Sequence, residues 1–462
     1  MKKMYSFILF VMIFGVLPVR EIKAADICYT DKAAAITVTR STETKNAGEY
    51  TDPALTPAEE TDPDSPSSGK TPAEAPKTET IGDKTITTTK YTDGSVGVKT
   101  EQKTEDGTEI VSEKVTEKNG SWKEKTTEEA QDGSKTEKLE SSDSTGDNTT
   151  VRTVKTDKDG NITETEESSK TTDKDGVVTE TRTARNSNAS IEMKKVTQPN
   201  SDFIFTTVMK DSEGNITNSV KKTYEKSETG VITETSEVTT PDEVTSAVTV
   251  TQPNEDYNSL IEKKDKEGNL LEKIESGRIA NPDNTVTFSQ TTTLADNSKS
   301  ESSLTLNEAG CGTMTISETS AEGSKETRNY TIDGESAVLD SLTTDSDKVI
   351  ISSKPESLDG KSRQVTVIGK GALNGQKVGE VTIPESVGKV EEQGLANAGI
   401  RVLRIQGKIE KGMFGKNALK GNGTGKKGKG MEILVDSRKD AKALKNQLKK
   451  AGAGKANVSV QK

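Results

Sequence analysis

Glycine at even intervals sets the limits on this chain. Asp93-Gly94, Asp106-Gly107, Asn119-Gly120, Asp132-Gly133 and Thr145-Gly146 follow one another every 13 residues. Asp159-Gly160 and Asp175-Gly176 continue the series at 14 and 16. Asp-Gly and Asn-Gly pairs favour hairpin turns, because their residues tolerate positive φ. The runs between them, such as Lys84-Thr85-Ile86-Thr87-Thr88-Thr89 and Val177-Val178-Thr179-Glu180-Thr181, are rich in Thr and Val. Those side chains are stiff at χ1 and suit a pleated surface. Thirteen residues leave room for a strand of roughly 9–11 residues, about 30–35 Å long, and a short turn. The expected element is an extended antiparallel β-hairpin meander over residues 82–345.

A longer repeat overlies the short one. Asp157-Lys158-Asp159-Gly160-Asn161-Ile162, Asp211-Ser212-Glu213-Gly214-Asn215-Ile216 and Asp265-Lys266-Glu267-Gly268-Asn269-Leu270 stand 54 residues apart. Val196-Thr197-Gln198-Pro199-Asn200 and Val250-Thr251-Gln252-Pro253-Asn254 match at the same interval. Each unit reads as a group of strands with three turns. The pattern fades after about residue 290, but Glu322-Gly323 and Asp333-Gly334 extend it to about 345.

The core is the difficulty. Residues 85–185 hold 12 Leu, Ile, Val or Phe among 101 positions, below the ~20% under which disorder is the usual outcome. The alternatives are a thin sheet held by ladder bonds and cross-strand Thr–Thr and Glu–Lys pairs, or a disordered, charge-balanced stalk. Regular turn spacing favours the sheet, since a disordered chain needs no turn every 13 residues. Both faces are polar, so register is weakly specified. Residues 186–345, with Phe203, Ile204, Phe205, Val208 and Met209, are expected to be the firmer part.

Residues 1–25 read as an export signal: Lys2 and Lys3, then an apolar run from Met4 to Val19, with cleavage after Ala24 or Ala25. An uncleaved anchor is the alternative, but the run is short for a membrane span. Ala25-Asp26-Ile27 before Cys28 argues against lipid attachment. The expectation is a secreted, extracellular protein, or one held at the cell surface, with no integral membrane span after signal removal. Residues 26–81 read as a Pro/Thr/Glu-rich linker. Asp52-Pro53, Thr56-Pro57, Asp62-Pro63, Ser65-Pro66 and Thr71-Pro72 oppose both helix and sheet. Cys28 and Cys311 permit one disulfide, and no pairing at all remains equally open.

Residues 346–462 differ in kind. Val365-Thr366-Val367-Ile368, Val381-Thr382-Ile383-Pro384, Val402-Leu403-Arg404-Ile405 and Ile433-Leu434-Val435 read as short apolar strands. Ser437 or Asp436 is placed to cap a helix over residues 438–451, with Ala443, Leu444, Gln447, Leu448 and Ala451 on one face and Gly452 at its end. Val458-Ser459-Val460 gives a last strand. Gly369-Lys370-Gly371-Ala372-Leu373 recurs 46 residues on as Gly415-Lys416-Asn417-Ala418-Leu419, with Glu392-Gln393-Gly394-Leu395-Ala396 midway. A period of 23 marks short stacked units sharing one core, a solenoid with a C-terminal capping helix. The fold class is thus mainly β, a meander followed by a short solenoid.

At these residues the chain resembles the BspA-like bacterial surface leucine-rich repeat family. Ile368-Gly369, Ala372-Leu373, Val378, Val381-Thr382-Ile383-Pro384, Ser386-Val387 and Val390 occupy the places of its pattern, and Gly394-Leu395, Ile400, Leu403 and Ile405 those of the next unit. The match covers residues 365–462. It departs where Leu373 and Ala396 replace Phe, and at the insertion 421–430. The resemblance implies a secreted or surface protein engaged in attachment, with no catalytic residues.

The chemistry open to the chain is narrow. With no histidine, Ser-His-Asp and Cys-His catalysis and the commonest zinc sites are excluded. No carboxylate pair stands out for glycoside cleavage. The Asp-x-Asp-Gly turns at 157–160 and 173–176 lack the full calcium-loop pattern and read as hairpin turns. Residues 421–430 are not a phosphate loop, since Lys420 stands where a glycine is required. No enzyme, cofactor or metal is expected. Charge gives the remaining lead. Residues 361–462 carry 22 Lys/Arg and 8 Asp/Glu, whereas the whole chain is −11. Lys416, Lys420, Lys426, Lys427 and Lys429 form a candidate polyanion-binding group for an anionic cell-wall polymer, a glycan or a host protein. The plain reading of residues 421–430 is a flexible insertion that merely adds charge, and polyanion contact is its rival. Nucleic acid is not expected, because the basic tail offers one aromatic, Phe414, for stacking. A non-binding stalk or spacer is the second functional reading.

Overall fold

The computed structural model describes residues 65–461 apart from Ser357. The segment read as an export signal, Cys28 and most of the stretch read as a linker lie outside the described residues. All the described residues belong to one compact unit, Glu60–Lys462.

Twenty-one antiparallel strands run from Lys77–Ile81 to Ser336–Thr344, each pairing with the next in sequence. The meander expected from the glycine spacing is thus present, through the apolar-poor stretch as well. The turns differ from the two-residue kind. Only the glycine of each Asp-Gly pair takes positive φ, as at Gly94 (88°) and Gly107 (87°). Gly94 N bonds Tyr91 O and Tyr91 N bonds Ser95 O, a tight turn followed by a left-handed glycine. The aspartate instead ties the turn through its side chain. Asp93 Oδ1 accepts the Ser95 N–H at 2.9 Å, and Asp157 Oδ1 accepts those of Asp159 and Asn161 at 2.9 Å each.

The sheet starts inside the stretch read as linker. Lys77–Ile81 pairs with Lys84–Lys90, and Pro72 bridges Tyr91. Prolines end at Pro76, which leaves five residues free to donate to a ladder. Residues 65–70 are also held down. Glu113 accepts the hydroxyls of Ser65 and Ser67, and Lys70 pairs with Asp93 at 2.7 Å and Glu117 at 2.9 Å. Beneath them Tyr91 lies against Gly97, where a methyl group would stand 2.8 Å from the phenol oxygen.

The 54-residue unit contains four strands, for example Ile162–Thr172, Val178–Asn186, Ala189–Thr197 and Phe203–Asp211. It therefore has four turns rather than three. The turn missed from the sequence contains no glycine: Asn186 Oδ1 accepts the N–H groups of Asn188 and Ala189 at 2.9 Å each. Its counterpart uses Thr240, whose hydroxyl accepts the Glu243 N–H at 3.2 Å. Each unit also repeats a bulge, at the register shifts beside Thr156, Lys210 and Lys264. Bulges bend the strand and increase its twist.

Among the described residues most of this sheet is a single layer, in which strands touch their sequence neighbours alone. Side chains shade one another along each face. Ser169–Thr181 (2.7 Å), Thr223–Thr235 (2.7 Å) and Thr249–Ser259 (2.9 Å) bond across strands. Lys155–Glu164 (2.9 Å) and Arg182–Glu166 (2.8 Å) form cross-strand ion pairs. Such pairs contribute ~0.2–1 kcal/mol each, and the long aliphatic stems of Lys, Arg and Glu cover the backbone.

A buried core begins near residue 304. Register aligns Leu304, Met314, Tyr330, Leu339, Ile368 and Val390 in one row, and Val390 bridges Phe414. None of the seven is more than 1% exposed. Each buried side chain of this kind is worth ~1.5–3 kcal/mol. Gln364–Ile368 joins the meander's last strand in parallel, and Lys389–Val390 follows it. A second parallel ladder runs Lys348–Ile350, Glu380–Ile383, Val402–Ile405, Glu432–Val435 and Asn457–Val460.

Residues 351–363 strap the row's face. Ile351, Pro355 and Arg363 are buried, and Glu356 accepts hydrogen bonds from Gln290 (3.1 Å) and Ser302 (2.8 Å). Arg363 and Asp359 form a bidentate pair at 2.7 and 2.8 Å, 3% and 7% exposed. The strand register puts this strap and the segment 65–70 on opposite faces of the sheet.

Candidate anion-binding surface

The surface is built on helix α1, Arg438–Leu448. Ser437 caps it: its hydroxyl oxygen accepts the Asp440 N–H at 3.1 Å, and the Asp440 carboxylate accepts the Ser437 hydroxyl proton. Asp440 also accepts the Ile409 N–H at 2.9 Å. That backbone bond, with Ser437, holds its carboxyl below the usual range. Leu444 and Leu448 face the core, and Gly452, at φ 83°, turns the chain away.

The insertion 421–430 is folded, which corrects the reading of it as flexible. Asn422 is fully buried. Its Oδ1 accepts the N–H groups of Ala398 (3.0 Å) and Ile400 (3.2 Å), while its Nδ2 donates to Leu395 O (2.7 Å) and Leu419 O (3.2 Å). Thr424 N and Gly425 N both bond Lys429 O, and Lys455 N bonds Lys427 O. A short 3₁₀ turn, Lys426–Gly428, closes the loop. Gly428 sits against the backbone of Ala453, where a methyl group would meet its Cα at 3.0 Å. Glycine at this density reads as flexibility in a sequence; here it permits close contact and left-handed turns.

All five candidate lysines are exposed. Lys426, Lys427 and Lys429 share the loop. Lys416 and Lys420 flank the buried Ala418-Leu419, whose segment is tied by Asn417 N to Lys450 O and by Leu419 N to Ala451 O. The backbone thus brings Lys450 and Lys455 alongside Lys420 and Lys427. Sequence reading missed those two because they lie some 30 residues on. Lys416, Lys420, Lys426, Lys427, Lys429, Lys450 and Lys455 make no ion pair among the described residues. Residues 411–462 carry 14 Lys/Arg and 3 Asp/Glu. Those three acids are occupied: Asp440 as above, Asp436 by Gly407 N at 2.6 Å, and Glu432 by Ser459 at 3.0 Å.

The acidic turns behave as turns. Hydrogen bonds from Asn161, side chain before backbone, lower the Asp157 carboxyl below its ordinary value. Among the described residues, no three of the Asp, Glu and Cys side chains are grouped to hold a metal. Cys311 is half-buried, with its Sγ 3.3 Å from Asp333 Oδ1, and Cys28 lies outside the described residues. No helix among the described residues is long and apolar enough to cross a membrane. Comparison with protein families finds none that matches the chain, and comparison with curated proteins finds no match.

Proposed function

We propose that this is a secreted or surface-held binding protein of the BspA-like type. In this reading residues 346–462 are a short leucine-rich-repeat solenoid capped by α1, and the sheet is the stalk that carries it. The lysine surface at its end engages an anionic cell-wall polymer, a glycan or an acidic host protein. The observation that carries the reading is the contrast in charge pairing. Many lysines of the sheet pair with carboxylates, whereas Lys416, Lys420, Lys426, Lys427, Lys429, Lys450 and Lys455 sit together on ordered backbone with no carboxylate partner among the described residues. Fixed, unneutralised charge of one sign attracts a polyanion and is screened by salt.

The test uses the chain from residue 26 on immobilised polyglycerol phosphate and on heparin, at low and high salt. Replacing Lys416, Lys420, Lys426, Lys427 and Lys429 by Glu is expected to weaken retention at least about tenfold. Unchanged retention in that variant sinks the lysine reading. The second reading, a spacer that binds nothing, is favoured by the neighbour-only contacts of the sheet. Absence of retention on every anionic surface at low salt would select it.

A further inference from the structure

A hollow lies on the sheet, well away from the lysine surface and independent of it. Trp122 is the chain's single tryptophan. It stands in register with Ser142, Thr149 and Lys170 on three successive strands, so all four share one face. Three strand spacings set Trp122 about 14 Å from Lys170. The turn after Ser142 keeps its glycine in the 13-residue series but carries one extra residue, so the next glycine follows at 14. This longer turn leans across the strand ends: Asn148 Oδ1 accepts the Thr172 N–H at 3.2 Å, and Asp147 O accepts the Thr172 hydroxyl at 3.3 Å. Asn148 Nδ2 in turn donates to Asp143 at 2.5 Å. The result is a hollow with Trp122 at one end, Ser142, Thr149 and Lys170 along its floor, and Asp143 and Asn148 as its rim.

Three features of this hollow point to a ligand. Lys114, on the preceding strand, lies 3.8 Å from the centre of the indole ring and covers one side of it. The hollow is lined by Trp122 and the following strands but not by Lys114, which puts it on the ring's other side. Among the described residues the indole N–H has no acceptor and Lys170 has no carboxylate partner. A concave site with a few convergent polar groups is the common form of a small-molecule site.

We propose that this hollow binds a short oligosaccharide. One pyranose ring lays its C–H face on the open side of Trp122, with a hydroxyl accepting the indole N–H. The next ring offers its hydroxyls to Ser142 and Thr149, and Lys170 meets a hydroxyl or a carboxylate beyond. The floor is long enough for two to three rings, and its donors and acceptors are hydroxyl, amide and ammonium groups suited to sugar hydroxyls.

Because the chain has one tryptophan, its emission reports this site alone. The chain from residue 26 is titrated with chitotetraose and with a hyaluronan tetrasaccharide, one neutral and one acidic. The expected result is a saturable change with a dissociation constant of about 1 mM or below for at least one of them. Calorimetry should show that binding weakened at least tenfold in Trp122→Ala. Ser142→Arg, which fills the floor and leaves the ring in place, should weaken it similarly. Response to the acidic probe alone would support the site with Lys170 as its determinant. No saturable change with either probe up to about 10 mM, or binding that both substitutions leave intact, overturns the proposal. Neither result bears on the lysine surface, which is read by retention on polyanions.

Discussion

Asn422→Ala is the most informative single change in the C-terminal body. The wild-type side chain satisfies two N–H and two C=O groups at 2.7–3.2 Å in a site with no solvent exposure. Ala398 N and Ile400 N have no other acceptor. Alanine removes all four bonds and cannot replace any. Each buried polar group left unpaired costs ~1–3 kcal/mol. Relaxation and entering water recover part of that, so the net loss is about 3–5 kcal/mol. With a urea slope of ~2 kcal/mol/M, the C-terminal transition should shift down by about 1.5–2.5 M. Hydrogen exchange read by mass spectrometry localises the effect. Protection is expected to fall over residues 395–424 and to hold over residues 82–290, because the single-layer sheet contacts the body only through its last strands. A shift under about 0.5 M, or equal loss of protection across the sheet, would refute the view that this buried amide organises the insertion.

Asp359→Asn should cost about 3–5 kcal/mol, since it leaves the Arg363 guanidinium buried without its counter-charge; thermal unfolding measures it. Gly312→Ala places a methyl group 1.9 Å from Thr305 O, so the paired strands must part, and a loss of about 2–4 kcal/mol is expected in the same assay. By contrast Glu166→Gln, which breaks the exposed pair with Arg182, should change stability by less than about 1 kcal/mol. Desolvation opposes ionisation of Asp143, but hydrogen bonds from Asn148 and Thr145 and from backbone N–H groups outweigh it and lower its pKa to about 2. Its folded value lies below the unfolded one, so its contribution is complete above pH ~4 and lost as pH falls towards 2. NMR titration should place its midpoint near 2, and a midpoint near 4 would mean that the turn at Asp143–Asn148 is not formed.

Much of the meander was legible because its turns announce themselves. Gly94, Gly107 and their successors must take positive φ, and few residues other than glycine do so cheaply. The turns at Asn186 and Thr240 use side-chain hydrogen bonds instead, and Asn and Thr are too common in this chain to signal them. The first strand was hidden by proximity to proline. The helix and the parallel strands of the C-terminal part were read from apolar spacing, which works wherever a core exists to impose it. The insertion was misread because Gly and Lys look alike in a loose loop and in a tightly bonded one. Only the buried Asn422 and the distant backbone partners at 450–455 distinguish the two, and pairing at that range leaves no local trace. The Trp122 hollow was equally invisible, since it depends on register across four strands.

The four-strand content of each 54-residue unit has a consequence for how such a chain can vary. Four is even, so the polypeptide leaves a unit at the same edge and heading in the same direction as it entered. Gain or loss of one unit would lengthen or shorten the sheet by about 19 Å, leaving the segment 65–70, the strap and the lysine end as they are. Loss of a single strand would reverse the chain and bring the segment 65–70 to the same face as the strap. Recombination between repeats is therefore an adjustment of reach alone: the molecule carries its own ruler, graduated in whole units.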